Sequence, residues 1–422
     1  MVTWHAQQAW LGGTGLESDV AIVTDGGSIT EVQPGSVVDA DRYLSGVVIP
    51  GLVSAHSHAF HRLLRGRTHG ARGDFWSWRR SMYELARTLT PESYRELATE
   101  VFAEMVDAGV TTVGEFHYLH HRPDGAPYDD PNAVGIALIE AATVAGIRMT
   151  LLDTAYLSSD VSGAPPTPDQ IRFSDGSIDA WRDRVAMLAA AVADREMVRL
   201  GVAAHSVRGV PIDDLATVAA TAVELDLPFH IHVSEQRAEN EACRTHHGLS
   251  PVGLLSREGA LTPRTTLVHA THLEEGDIEL IAAAGSMVCL CPTTEADLGD
   301  GIGPAIELAS AGVPLCLGSD SNAVIDILRE AHRLEHHDRL RLLRRGVHSP
   351  SALMAAATTT GMRSLGWSDR GIAAGGVADF VVVDPTSADL RGTGGSIEAI
   401  VLSATRASIT EVVIGGIPHT PR

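Results

Sequence analysis

Eight short apolar segments alternate with amphipathic segments through the middle of the chain, and most of the eight end in histidine, aspartate or glutamate. The segments span residues 47–58, 111–118, 148–156, 198–206, 228–235, 265–272, 287–293 and 314–321. Strands that alternate with helices in this way predict an α/β chain folded as a (β/α)8 TIM barrel. Because the active site of such a barrel lies at the carboxyl ends of its strands, the pattern also predicts a cluster of ionisable side chains there.

The two ends of the chain have a different pattern, with short strand-like runs separated by glycine and aspartate turns. Residues 1–48 contain AIVTDGGSITEVQPG, and residues 368–422 contain ADFVVVDP and ITEVVIGGI. Such runs are typical of β-structure. Because one long section separates them, we expect the two ends to meet as one small β-sandwich domain, and residues 49–367 to form the barrel.

The charged residues of the chain exclude some classes of partner and some kinds of catalysis. The formal net charge is −21, from 32 basic and 53 acidic residues, which argues against nucleic acid as a partner. All the basic residues are arginine, so a Schiff-base lysine, a P-loop lysine and a carboxylated lysine that bridges two metals are excluded. An anionic substrate would need a local group of arginines, because the overall field repels it.

The cysteines and the apolar runs indicate the compartment. The four cysteines form no CxxC pair, which favours core thiols in a reducing environment: Cys243, Cys289, Cys291 and Cys316. No apolar run approaches membrane-spanning length, and the N-terminus lacks a basic segment followed by an apolar one. We therefore expect a cytoplasmic protein with no membrane partner.

Four residues at the ends of the predicted strands form a candidate metal site. His56 and His58 follow the first barrel strand, and the alternation of side chains places both on one face. His232 ends the fifth strand and Asp320 the eighth. Imidazole nitrogens with one carboxylate suit a single Zn²⁺ with a position left for water, although another divalent transition metal would also fit. Each histidine alone is better explained as a hydrogen-bonded core residue, but their common position favours a metal site.

Three residues are predicted to move protons at this site. A metal lowers the pKa of its water to about 7, so Asp320 is expected both to bind the metal and to accept a proton from the water. His269, on the sixth strand, would orient the attacking oxygen and stabilise developing charge. Glu235 would carry a proton to the departing nitrogen, because such a leaving group must be protonated. For Glu235 the alternative is an ordinary acid at a helix N-terminus.

With these residues assembled, the chain resembles the amidohydrolase superfamily, in its branch of deaminases with one metal. The HxH, the HxxE after strand five, the histidine of strand six and the aspartate of strand eight all match, and PGLVSAHSH and GVADFVVVD extend the similarity over nearly the whole chain. Longer segments are similar to the family of N-formimino-L-glutamate iminohydrolases: HSHAFHRLLRG, FWSWRRSMY, GEFHYLHH, HSVRGV, HIHVSEQ, VHATH and CPTTEADLGDG. This resemblance implies hydrolysis of N-formimino-L-glutamate to N-formyl-L-glutamate and ammonia in histidine degradation, by a homodimer.

A small substrate with two carboxylates calls for two cationic side chains, and Arg79 and Arg208 are the candidates. Each can bind a carboxylate bidentately. The resemblance places both in substrate binding, together with Tyr118, His205 and the residue at position 61, here His61. Some relatives have glutamine at that position, and others have histidine in place of Asn322. For the arginines the alternative is a surface ion pair, and for Tyr118 a place in the core.

Other interpretations remain open at this stage. A deaminase of a heterocyclic base would share the metal site but would favour aromatic stacking over two arginines. A catalytically inactive scaffold is disfavoured because no member of the metal and acid–base set is missing. Trp76 and Trp78 either form a lid over the site or anchor their segment. His117, His120 and His121 are a weak candidate for a second metal, because no carboxylate or lysine accompanies them in the sequence.

Overall fold

Two β-sheets organise the chain in the computed structural model, which describes residues 1–68 and 75–421. Strands β1–β4 and β13–β15, numbered in chain order, form a mixed sheet from both ends of the chain. Their bounds are β1 (Val2–Ala9), β2 (Glu17–Asp25), β3 (Ser28–Gln33), β4 (Arg42–Pro50), β13 (Phe380–Val383), β14 (Ile409–Ile414) and β15 (Ile417–His419). Hydrogen bonds join these seven strands into one continuous sheet, in the order β15-β14-β13-β4-β1-β2-β3.

The other eight strands form the barrel, and all their pairings are parallel. They are β5 (Leu52–Ser57), β6 (Val110–His117), β7 (Arg148–Ala155), β8 (Val198–Ser206), β9 (Phe229–Val233), β10 (Thr265–His269), β11 (Met287–Leu290) and β12 (Leu315–Leu317). Each strand pairs with the next along the chain. A parallel bridge between Ser57 and Asp320 links the first and last strands. The predicted fold class, a (β/α)8 barrel with a small β domain built from both termini, is confirmed.

Helices separate the barrel strands and cover the outside of the barrel. They are α1 (Phe75–Ala86), α2 (Pro91–Asp107), α3 (Ala133–Ala145), α4 (Ile178–Val192), α5 (Ile212–Glu224), α6 (Arg237–His247), α7 (Pro251–Arg257), α8 (Asp277–Ala284), α9 (Pro292–Leu298), α10 (Ala305–Ser310), α11 (Ile327–Leu342), α12 (Pro350–Ala357), α13 (Thr359–Ser364) and α14 (Ile397–Ser403). Several of these helices begin at a residue whose side chain caps the helix N-terminus. Thr90, for example, forms a reciprocal capping box with Ser93 ahead of α2. Among the described residues, no helix has both the length and the apolar character needed to span a bilayer.

The alternation of side chains along β4 connects the two domains. Val48 belongs to an apolar cluster within the terminal sheet, whereas Val47 and Ile49 belong to the large barrel core. Strands β6 and β7 are buried along their whole length, as expected for parallel strands covered on both faces. The terminal sheet therefore packs one face on its own core and the other on the barrel.

The first predicted strand, residues 47–58, is two strands in the structure. Strand β4 ends at Pro50 in the terminal sheet, and β5 starts at Leu52 in the barrel. Gly51 lies between them, where a Cβ atom would sit 2.1 Å from Thr111 Oγ1, so a larger residue would clash. A continuous apolar run carries no signal for this change of sheet. The domain limits at 48/49 and 367/368 stay a prediction.

Candidate active site

Four side chains converge at the carboxyl end of the barrel, where the sequence predicts a metal site. His56 and His58 come from the end of β5, His232 from β9, and Asp320 from the segment after β12. One potential ligand atom from each lies within 4.8 Å of all the others, and all four residues are buried. The structure thus brings together the complete predicted ligand set.

Five of the six ligand-to-ligand distances within this group fit a small tetrahedral ion, and the sixth, between His232 and Asp320, is at most 4.8 Å. The three Nε2 atoms of His56, His58 and His232 lie 3.1–3.4 Å from one another. Oδ1 of Asp320 lies 3.3 Å from His56 Nε2 and 3.4 Å from His58 Nε2. Four ligands placed 2.0–2.1 Å from one ion in a tetrahedron are separated by about 3.3–3.4 Å, as in zinc sites. The spacing therefore suits a single first-row divalent ion.

Hydrogen bonds from the imidazole rings of His58 and His232 to backbone carbonyls orient these rings for binding a cation. Nδ1 of His58 contacts the carbonyl oxygen of Phe116 at 3.0 Å, and Nδ1 of His232 contacts that of His205 at 2.9 Å. A carbonyl only accepts, so both Nδ1 atoms carry the proton and both Nε2 atoms of the neutral rings present lone pairs. Burial and neighbouring histidines hold the pKa of His58 and of His232 well below 6.5. Facing lone pairs repel one another, and a metal ion removes that repulsion.

The backbone at this end of the barrel is strained at two residues, Asp320 and His269, whose side chains point into the site. Asp320 and His269 have φ angles of 42° and 72°, in the left-handed region that non-glycine residues seldom occupy. The amide of Asp320 donates to the carbonyl of His56 at 3.0 Å, and the amide of His58 donates to the carbonyl of Asp320 at 2.9 Å. Closure of the barrel thus fixes the carboxylate beside the histidines. Burial would raise the pKa of Asp320, but the facing histidines, chiefly His56, hold it well below its usual value.

The predicted acid–base residues lie beside the metal ligands. His269 Nε2 is 3.8 Å from Glu235 Oε1 and 3.9 Å from Asp320 Oδ2, while its Nδ1 is 3.4 Å from Glu295 Oε1. Burial opposes a charge on His269, but the three carboxylates, led by Glu235, raise its pKa to about 10. Burial also raises the pKa of Glu235. Asp320 therefore offers one oxygen to the ligand cluster and the other to His269.

A small pocket opens next to the four ligands. Ten of the eleven predicted site residues line it, and the eleventh, His56, is fully buried beside them. The ten are His58, His61, Arg79, Tyr118, His205, Arg208, His232, Glu235, His269 and Asp320. Their assignment as catalytic, metal-binding or substrate-binding residues stays a prediction, but the residues share one pocket.

The two arginines of the pocket are held in different ways. Arg208 lies between two buried carboxylates, with Nη2 3.4 Å from Glu235 Oε2 and Nε 3.4 Å from Glu239 Oε2. Arg79 instead donates from Nη2 to the hydroxyl of Tyr156 at 3.1 Å. Among residues 1–68 and 75–421, neither arginine forms the exposed surface ion pair that the sequence left open as the alternative.

Three further polar side chains of the lining, His61, Tyr118 and His205, are neutral hydrogen-bonding groups. His61 Nε2 lies 2.9 Å from the hydroxyl of Tyr118, and burial lowers the pKa of His61 to about 3. His205 Nδ1 lies 3.0 Å from the hydroxyl of Ser206, and burial, reinforced by Arg208, holds the pKa of His205 well below 6.5. These neutral groups leave the positive charge of the described lining to Arg79, Arg208 and His269.

The structure also places the residues whose roles the sequence left open. Trp78 is half-buried, lines the pocket and meets His61 edge-on at 5.0 Å between ring centroids. Trp76 is 40% exposed, and the Arg79 guanidinium lies 5.6 Å from its ring centroid. Asn322 donates from Nδ2 to the carbonyl of His58 at 3.0 Å. Trp78 is therefore part of the wall, and Asn322 braces the metal-binding segment from outside the lining.

Sequence reasoning missed several residues that surround the site. Glu295, which contacts His269, follows the seventh strand in CPTTE, and the rule that active sites lie at the carboxyl ends of strands would have found it. Glu239 lies behind Arg208 as an ordinary-looking helix residue. The apolar wall was not predicted as part of the site, although its members lie in FWSWRRSMY and CPTTEADLGDG, two of the segments that carry the family resemblance: Phe75, Met82 and Leu298.

Comparisons with known proteins agree with this geometry. The profile of the amidohydrolase family matches residues 47–417. Formimidoylglutamate deiminase of Pseudomonas aeruginosa is 36% identical over 368 residues, which are 85% of this chain and 81% of the relative. 8-oxoguanine deaminase of Pseudomonas aeruginosa is 30% identical over 417 residues, 95% of this chain and 90% of the relative. The crystal structure of an amidohydrolase from Brucella melitensis has a TM-score of 0.92 at 36% identity, covering 100% of this chain and 95% of that one.

The chain therefore belongs to the amidohydrolase family. Within that family it is a deaminase, a hydrolase that acts on C–N bonds.

Proposed function

We propose that this deaminase hydrolyses the formimino group of N-formimino-L-glutamate, giving N-formyl-L-glutamate and ammonia, with one zinc ion per chain. The reaction would place the protein in histidine degradation. The observation that carries the proposal is the pairing of a four-ligand metal cluster with two arginines, Arg79 and Arg208, in one pocket. The similarity to formimidoylglutamate deiminase of Pseudomonas aeruginosa supports the same choice of substrate.

The donor set supports zinc over the hard cations. Three imidazole nitrogens and one carboxylate oxygen suit Zn²⁺, whereas Mg²⁺ and Ca²⁺ prefer ligands that are all oxygen. His56, His58, His232 and Asp320 would hold the ion. When bound there, zinc supplies a Lewis acid that lowers the pKa of water to about 7.

The chain's own residues would then handle the protons. Asp320 Oδ2, the oxygen turned towards His269, accepts a proton from the attacking water. His269, protonated over a wide pH range by its carboxylate neighbours, donates a hydrogen bond to the attacking oxygen. Glu235, whose pKa burial raises, gives one proton to the imino nitrogen as water adds to the carbon. The proton taken up by Asp320 then passes to the same nitrogen, which leaves as ammonia, while Glu235 takes back the proton of the new hydroxyl, so both carboxyl groups return to their starting states. Water thus adds to the formimino carbon, the C–N bond to the terminal nitrogen breaks, and a formyl group remains.

The two arginines would bind the two carboxylates of the substrate. A charge-assisted hydrogen bond contributes about 1.5–3 kcal/mol, and a guanidinium can form two with one carboxylate. Because the protein carries a net charge of −21, a substrate with two carboxylates is repelled at long range and needs such local compensation. Tyr118 and His205, in the same lining, would add neutral hydrogen bonds.

A deaminase of a heterocyclic base is the second candidate. It is favoured by the 30% identity to 8-oxoguanine deaminase and by two aromatic side chains, Phe75 and Trp78, in the pocket wall. A planar ring could stack on such a wall. This alternative keeps the metal cluster and the acid–base residues, but it leaves Arg79 and Arg208 without a carboxylate to bind.

The deciding experiment measures ammonia release by zinc-loaded protein from N-formimino-L-glutamate and, in parallel, from 8-oxoguanine, guanine and cytosine. The proposal expects rapid release from the formimino compound alone. It also expects Arg208→Met to lower kcat/KM for that compound by about 100-fold, from the loss of a charged pair. Arg182→Met, which removes an exposed arginine of α4, serves as the control. Release from a ring substrate with none from the formimino compound would replace this proposal by the second candidate.

A further inference from the structure

We propose that Tyr156 and Gln170 are positioning residues for Arg79, which orient its guanidinium for one carboxylate of the substrate. The inference rests on the proposed function and extends it to residues that do not line the pocket. It concerns how an arginine is held ready for an anion when none of the described carboxylates pairs with it.

Arg79 is held by neutral groups. Its Nη2 donates to the hydroxyl of Tyr156 at 3.1 Å, and its guanidinium carbon lies 5.3 Å from the ring centroid of Tyr83 and 5.6 Å from that of Trp76. Within residues 1–68 and 75–421, no carboxylate lies within ion-pair distance of Arg79. Its charge is therefore available to a ligand, but aromatic contacts alone hold an arginine loosely.

The hydroxyl of Tyr156 is itself fixed by Gln170. The Gln170 amide donates from Nε2 to Tyr156 at 2.9 Å and to the hydroxyl of Tyr83 at 3.3 Å. Its Oε1 accepts from the backbone amide of Thr167 at 2.9 Å and from the Thr167 hydroxyl at 2.8 Å. The two contacts with Thr167 determine which end of the amide is oxygen, so the Nε2 end must face the tyrosines. Tyr156 and Gln170 are both buried.

The hydroxyl oxygen of Tyr156 links Gln170 to Arg79 because it can accept a hydrogen bond from each. Its oxygen accepts one hydrogen bond from Gln170 and one from Arg79, which uses both lone pairs of the hydroxyl. The Tyr156 ring packs on His205, with 4.4 Å between ring centroids, so the hydroxyl has little freedom to move. A rigid acceptor thus engages Nη2 of Arg79 and fixes the orientation of the guanidinium.

This arrangement predicts an effect on binding rather than on the chemical step. Tyr156→Phe keeps the ring and removes the acceptor, so Arg79 keeps its charge and loses its orientation. We expect KM for N-formimino-L-glutamate to rise about tenfold, the size of one hydrogen bond to a charged group, with kcat changed less than twofold. Gln170→Leu should also raise KM, by about threefold, because Tyr156 still accepts the hydrogen bond from Arg79 but is held less firmly. Tyr43→Phe, an exposed tyrosine of the terminal sheet, is the matched control and should leave both constants unchanged.

The test is a double-mutant cycle with Arg79→Met. If Tyr156 acts through Arg79, Tyr156→Phe should have no further effect on kcat/KM in the Arg79→Met background. Additive losses of about tenfold in both backgrounds would overturn the inference, because they indicate a general structural role. Unchanged KM in the single variant, with a folded protein by thermal melting, would overturn it as well. Absence of turnover by the unsubstituted protein would refute the proposed function itself, and this inference with it.

Discussion

Two buried clusters of histidine and aspartate lie at the carboxyl ends of barrel strands, and they differ in what their lone pairs face. The inner cluster is His56, His58, His232 and Asp320, and the outer cluster is His117, His120 and Asp153. In both, one possible ligand atom from each residue lies within 4.8 Å of the others. Composition and burial alone would assign both clusters to metal binding.

In the outer cluster, the carboxylate of Asp153 is already neutralised by the guanidinium of Arg184. Arg184 donates to both carboxylate oxygens of Asp153, at 2.6 Å and 2.8 Å, and Trp181 Nε1 donates to Oδ1 at 3.1 Å. Arg184 also binds both oxygens of Asp175. The sequence argued against a second metal because no carboxylate accompanies these histidines. The structure shows that this reason was wrong, because two carboxylates, Asp153 and Asp175, lie beside these histidines. Both form ion pairs with the Arg184 guanidinium, however, so they are not free to bind a metal.

The inner cluster contains no arginine and opens on a pocket. Asp320 lies within 4.8 Å of an imidazole nitrogen of each of the three ligand histidines, and backbone carbonyls fix two of these rings, His58 and His232, with their lone pairs inward. His117 and His120 of the outer cluster also have a buried Nδ1 without a hydrogen-bond partner, so the difference lies in the carboxylate, which faces histidines in one cluster and an arginine in the other. A buried His/Asp cluster whose carboxylates are saturated by arginine is better explained as a structural ion pair.

The largest expected effect comes from Asp320→Asn in the inner cluster. The substitution removes a charged metal ligand and the proposed proton acceptor, so kcat should fall by about 10⁴-fold or more, as for other essential catalytic groups. The fall is measured by steady-state ammonia release. Asp129→Asn, on the exposed surface, is the control and should keep normal turnover. Retention of more than a tenth of the activity in Asp320→Asn would contradict the proposed proton transfer.

Next in size is the loss of the outer ion pair by Arg184→Met. Two buried carboxylates would lose their cation, so the free energy of unfolding should fall by about 3–5 kcal/mol, measured by urea denaturation. The metal content and the kcat of the folded protein should stay normal. Arg182→Met, on the same helix, removes an exposed pair with Glu224 and should cost less than about 1 kcal/mol. Loss of bound metal in Arg184→Met would show that the two clusters are not separate.

Removal of metal by a chelator should have an intermediate effect on stability. A ligand present at 100 times its dissociation constant stabilises the folded state by about 2.7 kcal/mol, so chelation should lower the melting temperature and abolish turnover, and added zinc should restore both. Arg184→Met should show the same metal-dependent shift as the unsubstituted protein, whereas His58→Ala should show almost none. A metal-dependent shift that persists in His58→Ala would place the ion elsewhere.

The smallest expected effect is that of His120→Gln in the outer cluster. His120 Nε2 donates to the carbonyl of Thr154 at 2.9 Å, and a glutamine amide can replace that donor only in part. We expect a loss of about 1 kcal/mol in unfolding free energy, with metal content unchanged at one ion per chain by elemental analysis. Two ions per chain in the unsubstituted protein, falling to one in His120→Gln, would reverse the comparison between the clusters.

Much of the inner cluster could be predicted from the sequence because strand geometry does most of the placement. In a barrel, the residues that end successive strands meet at one end, so His56, His232 and Asp320 needed only a correct assignment of strands. Tyr156 and Gln170 could not be found in this way. Their role depends on the path of the segment after β7 and on α1, and no spacing rule brings Gln170 to Arg79.

The sequence by itself determined the barrel, the residues that could bind a metal, and the absence of any lysine chemistry. These follow from local hydrophobic pattern and composition, which do not depend on distant contacts. Only the tertiary structure decided which histidines keep their lone pairs free and which carboxylates an arginine neutralises. Those outcomes depend on side chains far apart in sequence, such as Asp153 and Arg184, and on hydrogen bonds that form only when the chain is folded.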